Sequence, residues 1–117
     1  MAKPYGLPKS ALLRSEKEIS TVFRLGRHHS LGVLQAKVMP AQSGTTRFMV
    51  SVRKSVGHAP LRNRVRRLVK EVMRRHRQSL ESPHDICFFL TRRPDAMSFR
   101  KLEQEVLELF RRLSGQD

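Results

Sequence analysis

The feature that most constrains this chain is a strongly basic segment with helical periodicity, residues 61–77, LRNRVRRLVKEVMRRHR. Its apolar side chains recur at the three- and four-residue spacing of an amphipathic helix: Leu61, Val65, Leu68, Val69, Val72 and Met73. At 100° per residue they occupy one arc of about 140°. The opposite arc is polar and cationic: Asn63, Arg66, Arg67, Lys70, Arg74 and Arg77. Pro60 fits just inside the start of such a helix. The segment therefore predicts one helix with a core face and a cationic face.

The net charge of the chain is concentrated around this helix. The 117 residues carry 24 Lys and Arg against 10 Asp and Glu, a net charge of +14. Residues 53–77 hold ten of the cations and one acid, Glu71, so +9 of the total lies in this window. A solvated surface is one explanation, but like charges four residues apart cost about 0.2–0.5 kcal/mol per pair. The pattern favours a polyanionic partner, with nucleic acid ahead of an anionic membrane surface.

Length and composition limit the organisation and location of the protein. A chain of this size predicts a single domain over residues 1–117, with loose segments at 1–13 and 115–117. The single Cys excludes an intramolecular disulfide, and the start carries no secretory signal pattern. No apolar run reaches membrane-spanning length, and the basic helix lacks a bulky aromatic face. We therefore expect a soluble, cytoplasmic protein with no membrane contact and no obligate protein partner.

Two further helices are predicted, over 15–26 and 98–115. Ser15 and Glu18 form a capping box for the first, and Gly26 is a natural residue for its end. Their apolar sides again repeat every three or four residues: Ile19, Val22 and Phe23 in the first, then Phe99, Leu102, Val106, Leu109, Phe110 and Leu113 in the second. The outer face of the second is expected to be acidic or mixed, with Glu103, Glu105 and Glu108.

The segments between the predicted helices carry the sequence patterns of β-strands. Apolar and polar residues alternate over 34–39 and over 48–53, and the turn-rich stretch 40–46 between them predicts a hairpin. Residues 86–90, ICFFL, form a continuous apolar run, which predicts a strand covered on both faces. The resulting order of helix, strand, strand, basic helix, strand, helix predicts an α+β fold around one mixed sheet.

The reactive side chains and motifs of the sequence indicate a binding protein rather than a catalyst. The sequence contains neither a phosphate-binding G-x-x-x-x-G-K pattern nor a G-x-S-x-G nucleophile pattern, and the basic helix carries only one carboxylate. Cys87 lies within the apolar run, where an inert buried thiol is expected. His28 and His29 are adjacent, so on a strand they would face opposite sides and could not share a metal ion. We predict a loop position or RNA contact for them, with no catalytic residue and no metal site.

At the level of motifs, residues 53–70, RKSVGHAPLRNRVRRLVK, resemble the signature of the bacterial ribonuclease P protein family. The core of this signature is Arg62-Asn63-Arg64, preceded by V-S-V-R-K at the end of a strand. A late stretch, D-I-C-F-F-L-T-R-R-P from Asp85 to Pro94, is similar to the last strand and basic exit loop of that family. The resemblance covers residues 10–113.

The resemblance implies both a fold and a function. The fold is a two-layer α-β sandwich with three helices and a mixed sheet of about four strands, similar to the second domain of a small-subunit ribosomal protein. Its crossover through the R-N-R helix would be left-handed, against the usual preference. The implied function is that of the protein subunit of a ribonucleoprotein endonuclease. Its catalytic RNA removes the 5′ leader from precursor tRNA with Mg²⁺, which is held mainly by the RNA.

The resemblance also assigns residues to two RNA-binding surfaces. The surface for the catalytic RNA comprises Arg62, Asn63, Arg64, Arg66, Arg67, Lys70 and Arg74. The cleft for the single-stranded leader comprises Ile19, Phe23, Lys37, Arg53, Lys54, His58, Arg92 and Arg93. The family usually has an aromatic residue at the position of Ile19 and often one at that of Lys37, and both departures reduce the base stacking that the resemblance implies. Core packing is the alternative role of Phe23.

Two alternatives to this assignment stay open from the residues alone. A ribosomal-type or nucleoid protein could use the same basic helix on other polyanions, whereas an intrinsic nuclease is disfavoured by the absent carboxylate cluster. Asn63 could read a base edge, ligate a hydrated metal ion or cap locally.

Overall fold

The computed structural model of the protein describes residues 7–94 and 97–115, and the outermost parts of the predicted loose ends lie outside these ranges. Each predicted helix is present to within two residues at either end. In chain order, the helices and strands are α1 Glu16–Leu25, β1 Arg27–Ser30, β2 Gln35–Pro40, β3 Arg47–Val52, α2 Ala59–His76, β4 His84–Leu90 and α3 Phe99–Leu113. Short 3₁₀ turns cover Lys9–Ala11, Lys54–Val56 and Arg77–Ser79.

The four strands form one mixed sheet in the order β1-β2-β4-β3. The central strand β4 pairs antiparallel with β2 and parallel with β3, so the predicted hairpin between β2 and β3 is wrong. The apolar run explains why: a strand with buried side chains on both faces is most stable at the centre, where both its edges are also paired. The connection β3–α2–β4 joins adjacent parallel strands, and its left-handed sense stays a prediction.

Strand β1 has no counterpart in the sequence prediction. Its residues, RHHS, include no apolar side chain, so hydrophobic periodicity gives no signal there. The strand forms because the chain leaving α1 at Gly26 runs directly alongside β2, where Arg27 pairs with Val38 and Ser30 with Gln35. A Cβ added at Gly26 would collide with the carbonyl oxygen of Val22. This close approach, and not a left-handed conformation, requires glycine, since its φ is −70°.

The two faces of the sheet carry cores of different size. The larger core joins α2 and α3 to the face that holds Ile86, Phe88 and Leu90, and this is the predicted sandwich. The smaller core lies on the opposite face, where Val22 of α1 packs with Cys87 and Leu13. Helix α1 therefore adds a layer that covers part of the second face and leaves the rest open.

The segment before α1 is part of the folded structure. Ala11 and Leu13 are buried, Leu12 forms a parallel bridge with Phe48, and the Leu13 N–H donates to the Phe48 carbonyl at 2.8 Å. The predicted loose segment thus does not extend over residues 8–13. Residues 1–6 and 116–117 lie outside the described ranges.

Helix α3 differs from the prediction at one acidic position. Glu105 is only 8% exposed, and its Oε1 accepts a hydrogen bond from the Leu34 N–H at 2.7 Å. The carboxylate therefore holds the loop before β2, so the prediction that Glu105 belongs to an acidic outer face is wrong. Gly32 in that loop has φ +131° and lies against the same carboxylate, two reasons for a glycine there.

Candidate nucleic-acid interface

Helix α2 presents its R-N-R residues along one side. His58 caps the helix, its Nδ1 accepting from the Leu61 N–H at 3.3 Å, and Pro60 lies in the first turn. The Arg62 guanidinium is half-buried and donates to the Gly57 carbonyl at 2.8 Å, which ties it to the preceding turn. Beyond it, Asn63, Arg64, Arg67 and Lys70 are exposed. The predicted cationic face is therefore present and oriented away from the core.

Three of the seven predicted residues, Asn63, Arg66 and Arg74, make side-chain contacts within the helix. The Asn63 Oδ1 accepts from the Arg66 guanidinium at 2.9 Å, so the amide is oriented by its neighbour and its NH₂ group is turned outwards. Arg74 is ion-paired with Glu71, whose other partner is Arg75 at 2.9 Å. The hydrogen bond from Arg74, aided by that from Arg75, lowers the pKa of Glu71 to about 2. Arg74 thus brings a partly compensated charge to this surface.

Arg77 does not belong to the cationic face, although the helical projection assigns it there. The helix ends at His76, and the next residue turns inwards. The Arg77 side chain is 8% exposed and donates to the Thr45 hydroxyl at 2.9 Å. Its charge therefore supports the loop between β2 and β3.

The predicted leader cleft corresponds to the surface between α1 and the uncovered part of the second sheet face. Phe23 and Ile19 form its helical wall, and both are half-buried. Lys37 of β2 lies on the same sheet face, because it pairs with Cys87 of the smaller core. The structure thus brings together these three predicted cleft residues.

The floor of the cleft is aromatic because of Phe89, which the sequence prediction missed, and His28, for which it gave a loop position or RNA contact and which lies in strand β1. Phe89 of β4 lies 5.6 Å from Phe23 between ring centroids, at an interplanar angle of 57°. His28 of β1 also stacks with Phe89, with centroids 6.0 Å apart and planes inclined by 28°. The His28 Nε2 is 2.8 Å from the Gln35 Oε1, which fixes the imidazole plane. Phe89 is half-buried and His28 exposed, so both can be reached from solvent.

A signal for these residues exists in the sequence. Strand residues alternate between faces, so Phe88 and Phe89 must point to opposite sides of the sheet. Helix α1, which covers the second face, is short. One of the two rings, Phe88 or Phe89, is therefore expected to lie on an uncovered part of that face. The predicted opposite orientation of His28 and His29 is confirmed by the pairing of β1 with β2.

The remaining predicted cleft cations lie at one end of the sheet. Arg53 and Lys54 follow β3, and Arg92 and Arg93 follow β4; because these strands are parallel, all four come out at the same edge. All four are exposed. Arg92 and Arg93 line a cavity of about 290 Å³ with Lys101 of α3, so they form a rim beyond the cleft and not its wall. His58 is engaged as the cap of α2.

An ion-pair network holds the first turn of α1 against the sheet. The Arg47 guanidinium contacts Asp85 and Glu18 at 2.9 Å each, joining β3, β4 and α1. Hydrogen bonds from Arg47 to Asp85, and then to Glu18, raise the pKa of Arg47. This network fixes the position of α1 over the sheet, and with it the width of the cleft.

The described residues offer little of the chemistry that cleavage of a phosphodiester needs. Burial raises the pKa of the Cys87 thiol to about 12, so it is not a nucleophile at neutral pH. Residues 7–94 and 97–115 contain no group of three or more His, Cys, Asp or Glu that could hold a metal ion. Within the same ranges, no helix is long and apolar enough to cross a membrane.

An α+β domain with an exposed arginine-rich helix and a separate cleft floored by aromatic rings belongs to the class of RNA-binding proteins. Comparison with known families agrees with this class. The family model described as Ribonuclease P matches residues 7–114, nearly the whole chain. The chain belongs to the ribonuclease P protein family.

Individual relatives and structures extend this result. The chain is 26% identical over 113 residues to the ribonuclease P protein component of Desulforapulum autotrophicum, covering 97% of both chains. It is 30% identical to that of Dictyoglomus thermophilum, covering 91% of this chain and 90% of the relative. Two solved structures share the fold. The RNase P protein of Thermotoga maritima has a TM-score of 0.76 at 20% identity, over 86% of this chain and 96% of that one. The Staphylococcus aureus protein has a TM-score of 0.75 at 18% identity, over 91% and 96%.

Proposed function

We propose that this protein is the RNA-binding subunit of ribonuclease P, a ribonucleoprotein endonuclease that removes the 5′ leader from precursor tRNA. The observation that supports the proposal is the presence of two distinct surfaces suited to RNA, the cationic side of α2 and the aromatic cleft, on a chain matched by the family model over residues 7–114. The non-catalytic ribosomal-type or nucleoid alternative is disfavoured, since the named relatives are ribonuclease P protein components.

The α2 surface is proposed to dock on the catalytic RNA. Arg64, Arg67 and Lys70 are exposed, and arginine forks suit bidentate contacts with phosphates. Arg62 and Arg66 contribute from half-buried positions with one hydrogen bond each already made within the protein. The outward NH₂ group of Asn63 is a donor for a base edge or a phosphate, and Arg74 acts at the margin of the surface.

The cleft is proposed to hold the single-stranded leader. Phe23, Phe89 and His28 offer ring surfaces for bases, and Lys37 supplies a cation between them. Stacking on aromatic rings is tolerant of sequence, which suits leaders of different sequence. Ile19 completes the wall, and four cations attract the leader to the nearby end of the sheet: Arg53, Lys54, Arg92 and Arg93.

The chemistry is assigned to the RNA. The described residues provide no carboxylate cluster for metal-ion catalysis, so we propose that Mg²⁺ is held mainly by the RNA subunit and that the protein has no catalytic residue. The chain is proposed to act in the cytoplasm as a single domain over residues 1–117, without a membrane or an obligate protein partner.

The test is cleavage of precursor tRNA by the cognate catalytic RNA at low Mg²⁺, with and without this protein. We expect strong stimulation by the protein, because it neutralises RNA charge and binds the leader. Absence of stimulation would contradict the proposal. Cleavage by the protein alone would instead support an intrinsic nuclease.

A further inference from the structure

A second concave surface lies behind the cleft, on the face of the sheet that carries the larger core. Strand β1 is short, and β2 continues past it through Met39 and Pro40. The end of α3 closes the other side, leaving a cavity of about 670 Å³. We call this cavity the β1 notch; its basic lining residues are Arg27, His28, His29, His84, Arg111 and Arg112.

The charges of the β1 notch are of one sign. No Asp or Glu is among the described residues that line it. Arg112 donates to the Ser30 carbonyl at 3.3 Å, which brings its guanidinium to the free edge of β1. Arg111 and Arg112 both contact Glu108 of their own helix, while Arg27 has no ion pair among residues 7–94 and 97–115. A bound anion would therefore face Arg27, which has no ion pair in those ranges, and Arg112, which shares Glu108 with Arg111.

The pKa of His29 is lowered, in part by the positive charges around the β1 notch. Burial lowers its pKa first, followed by repulsion from Arg112 of α3, from Arg27 and from His28. Each of these effects disfavours the imidazolium ion. A phosphate in the β1 notch would oppose the repulsion and raise the pKa of His29.

The β1 notch and the cleft are separated only by strand β1. His28 and His29 are consecutive residues that point to opposite faces, the first stacked on Phe89 in the cleft and the second lining the notch. His28 also contributes to the rim of the notch. Because β1 is the edge strand, a polynucleotide that leaves the cleft beside His28 can pass over a single strand and reach His29 and Arg27.

We propose that the β1 notch binds backbone phosphates of the distal leader, the nucleotides farther from the tRNA than those in the cleft. This inference rests on the proposed function, since it extends the path of the same leader. Arg27 and Arg112 would contact phosphate oxygens, and the unpaired edge of β1 offers further N–H donors. The partner is a single-stranded RNA backbone.

The test compares precursor tRNAs with leaders of about four and about twelve nucleotides, within the range of a single-strand site. The holoenzyme is assembled with wild-type protein, with Arg27→Ala, or with the matched control Arg100→Ala, which removes an exposed arginine at the start of α3. We expect Arg27→Ala to weaken binding of the long-leader substrate about threefold to tenfold and to leave the short-leader substrate unchanged. Arg100→Ala should affect neither.

The outcomes separate this inference from the proposed function. If the protein stimulates cleavage of neither substrate, the proposed function fails. If it stimulates both but Arg27→Ala behaves like Arg100→Ala, or weakens both substrates equally, the β1 notch is not a leader site.

An independent readout is the pKa of His29, followed by NMR in the protein with a single-stranded RNA of about twelve nucleotides. It should rise on RNA addition and rise less in Arg27→Ala. An unchanged pKa, or pairing of β1 with a second copy of the chain detected by sedimentation, would overturn the assignment.

Discussion

Phe89 shows how a single half-buried side chain can define a surface. The family resemblance places aromatic residues where this chain has Ile19 and Lys37, which leaves Phe23 as the predicted stacking residue. The structure brings Phe89 within 5.6 Å of Phe23 and stacks it on His28, so the ring surface comes from β4 and β1. Core packing is the alternative role predicted for Phe23. Its ring packs against the smaller core and also contacts Phe89, so it lies at the boundary between that core and the open cleft.

The role of Phe89 predicts a substitution effect on substrate discrimination. Phe89→Leu removes the ring and retains an apolar side chain, so the preference for precursor over mature tRNA should fall about fivefold or more, as expected for the loss of one stacked base. The measurement is the ratio of the two dissociation constants in the holoenzyme. Phe88→Leu is the matched control: it changes a fully buried ring on the other face and should lower the free energy of unfolding by about 1–3 kcal/mol while leaving that ratio unchanged. Equal losses of binding to both tRNAs in Phe89→Leu would argue against stacking.

Glu71 gives a prediction for pH dependence. Its folded-state pKa is about 2, below the ordinary value of 4.5, because Arg74 and then Arg75 donate hydrogen bonds to the carboxylate. The ionised form therefore stabilises the fold fully above pH 4.5, and this contribution is lost as the pH falls towards 2. Glu71→Gln should lower the midpoint of thermal unfolding at neutral pH, and the difference from wild type should shrink between pH 4.5 and 2. Glu81→Gln, which removes an exposed carboxylate, is the control and should show no such convergence. A difference that persists at pH 2 would show that the ion pairs are not its source.

Among the helices and strands, α2 carries arginines with two different roles, exposure on the surface and contact with a neighbouring helix. Arg67 is exposed on the R-N-R side, whereas Arg75 contacts Glu71 and lies 4.7 Å from the centre of the Phe99 ring on α3. The first is available to RNA and the second links two helices. This division follows from the different positions of the two arginines around the helix.

The two arginines should differ in the salt dependence of RNA binding. Arg67→Ala should reduce the slope of log affinity against log salt by about 1, the loss of about one phosphate contact, in binding to the catalytic RNA. Arg75→Ala carries the same change of charge and should leave the slope nearly unchanged while lowering thermal stability. Similar slopes for both variants and wild type would contradict direct phosphate contact by Arg67.

The elements also show where sequence reasoning succeeds and where it fails. Helices α1, α2 and α3 carry strong amphipathic periods and side-chain caps, so their positions could be predicted. Strand pairing could not, because β4 inserts between β2 and β3 from a distant part of the chain. Strand β1 is held by backbone pairing without apolar side chains, and Glu105 is buried by a loop 71 residues away in sequence. Contacts between residues far apart in the chain leave no pattern in the local sequence.

For the molecule as a whole, the unequal cores give the two proposed RNA-binding surfaces supports of different stability. Helix α2 rests on a core of eighteen buried residues within the described ranges, so its cationic face is presented on a rigid support. Helix α1 rests on a core with three buried residues in the same ranges and is held further by the Arg47 network. The cleft therefore has one firm wall, the sheet, and one wall with much less buried apolar surface to stabilise it.

This asymmetry predicts a hierarchy of local stability. Regions with few buried apolar contacts open at lower free energy than the main core, so amides of α1 should exchange with solvent through a partial opening, while amides of α2 and β4 should require global unfolding. Native-state hydrogen exchange over a range of denaturant measures both free energies. Binding of a precursor leader contacts α1 and should slow its exchange, whereas mature tRNA should not; the amides of α3 serve as the internal control. If α1 and β4 exchanged with the same free energy and the same denaturant dependence, the two cores would unfold as one unit, and the cleft would be as rigid as the α2 surface proposed to dock on the catalytic RNA.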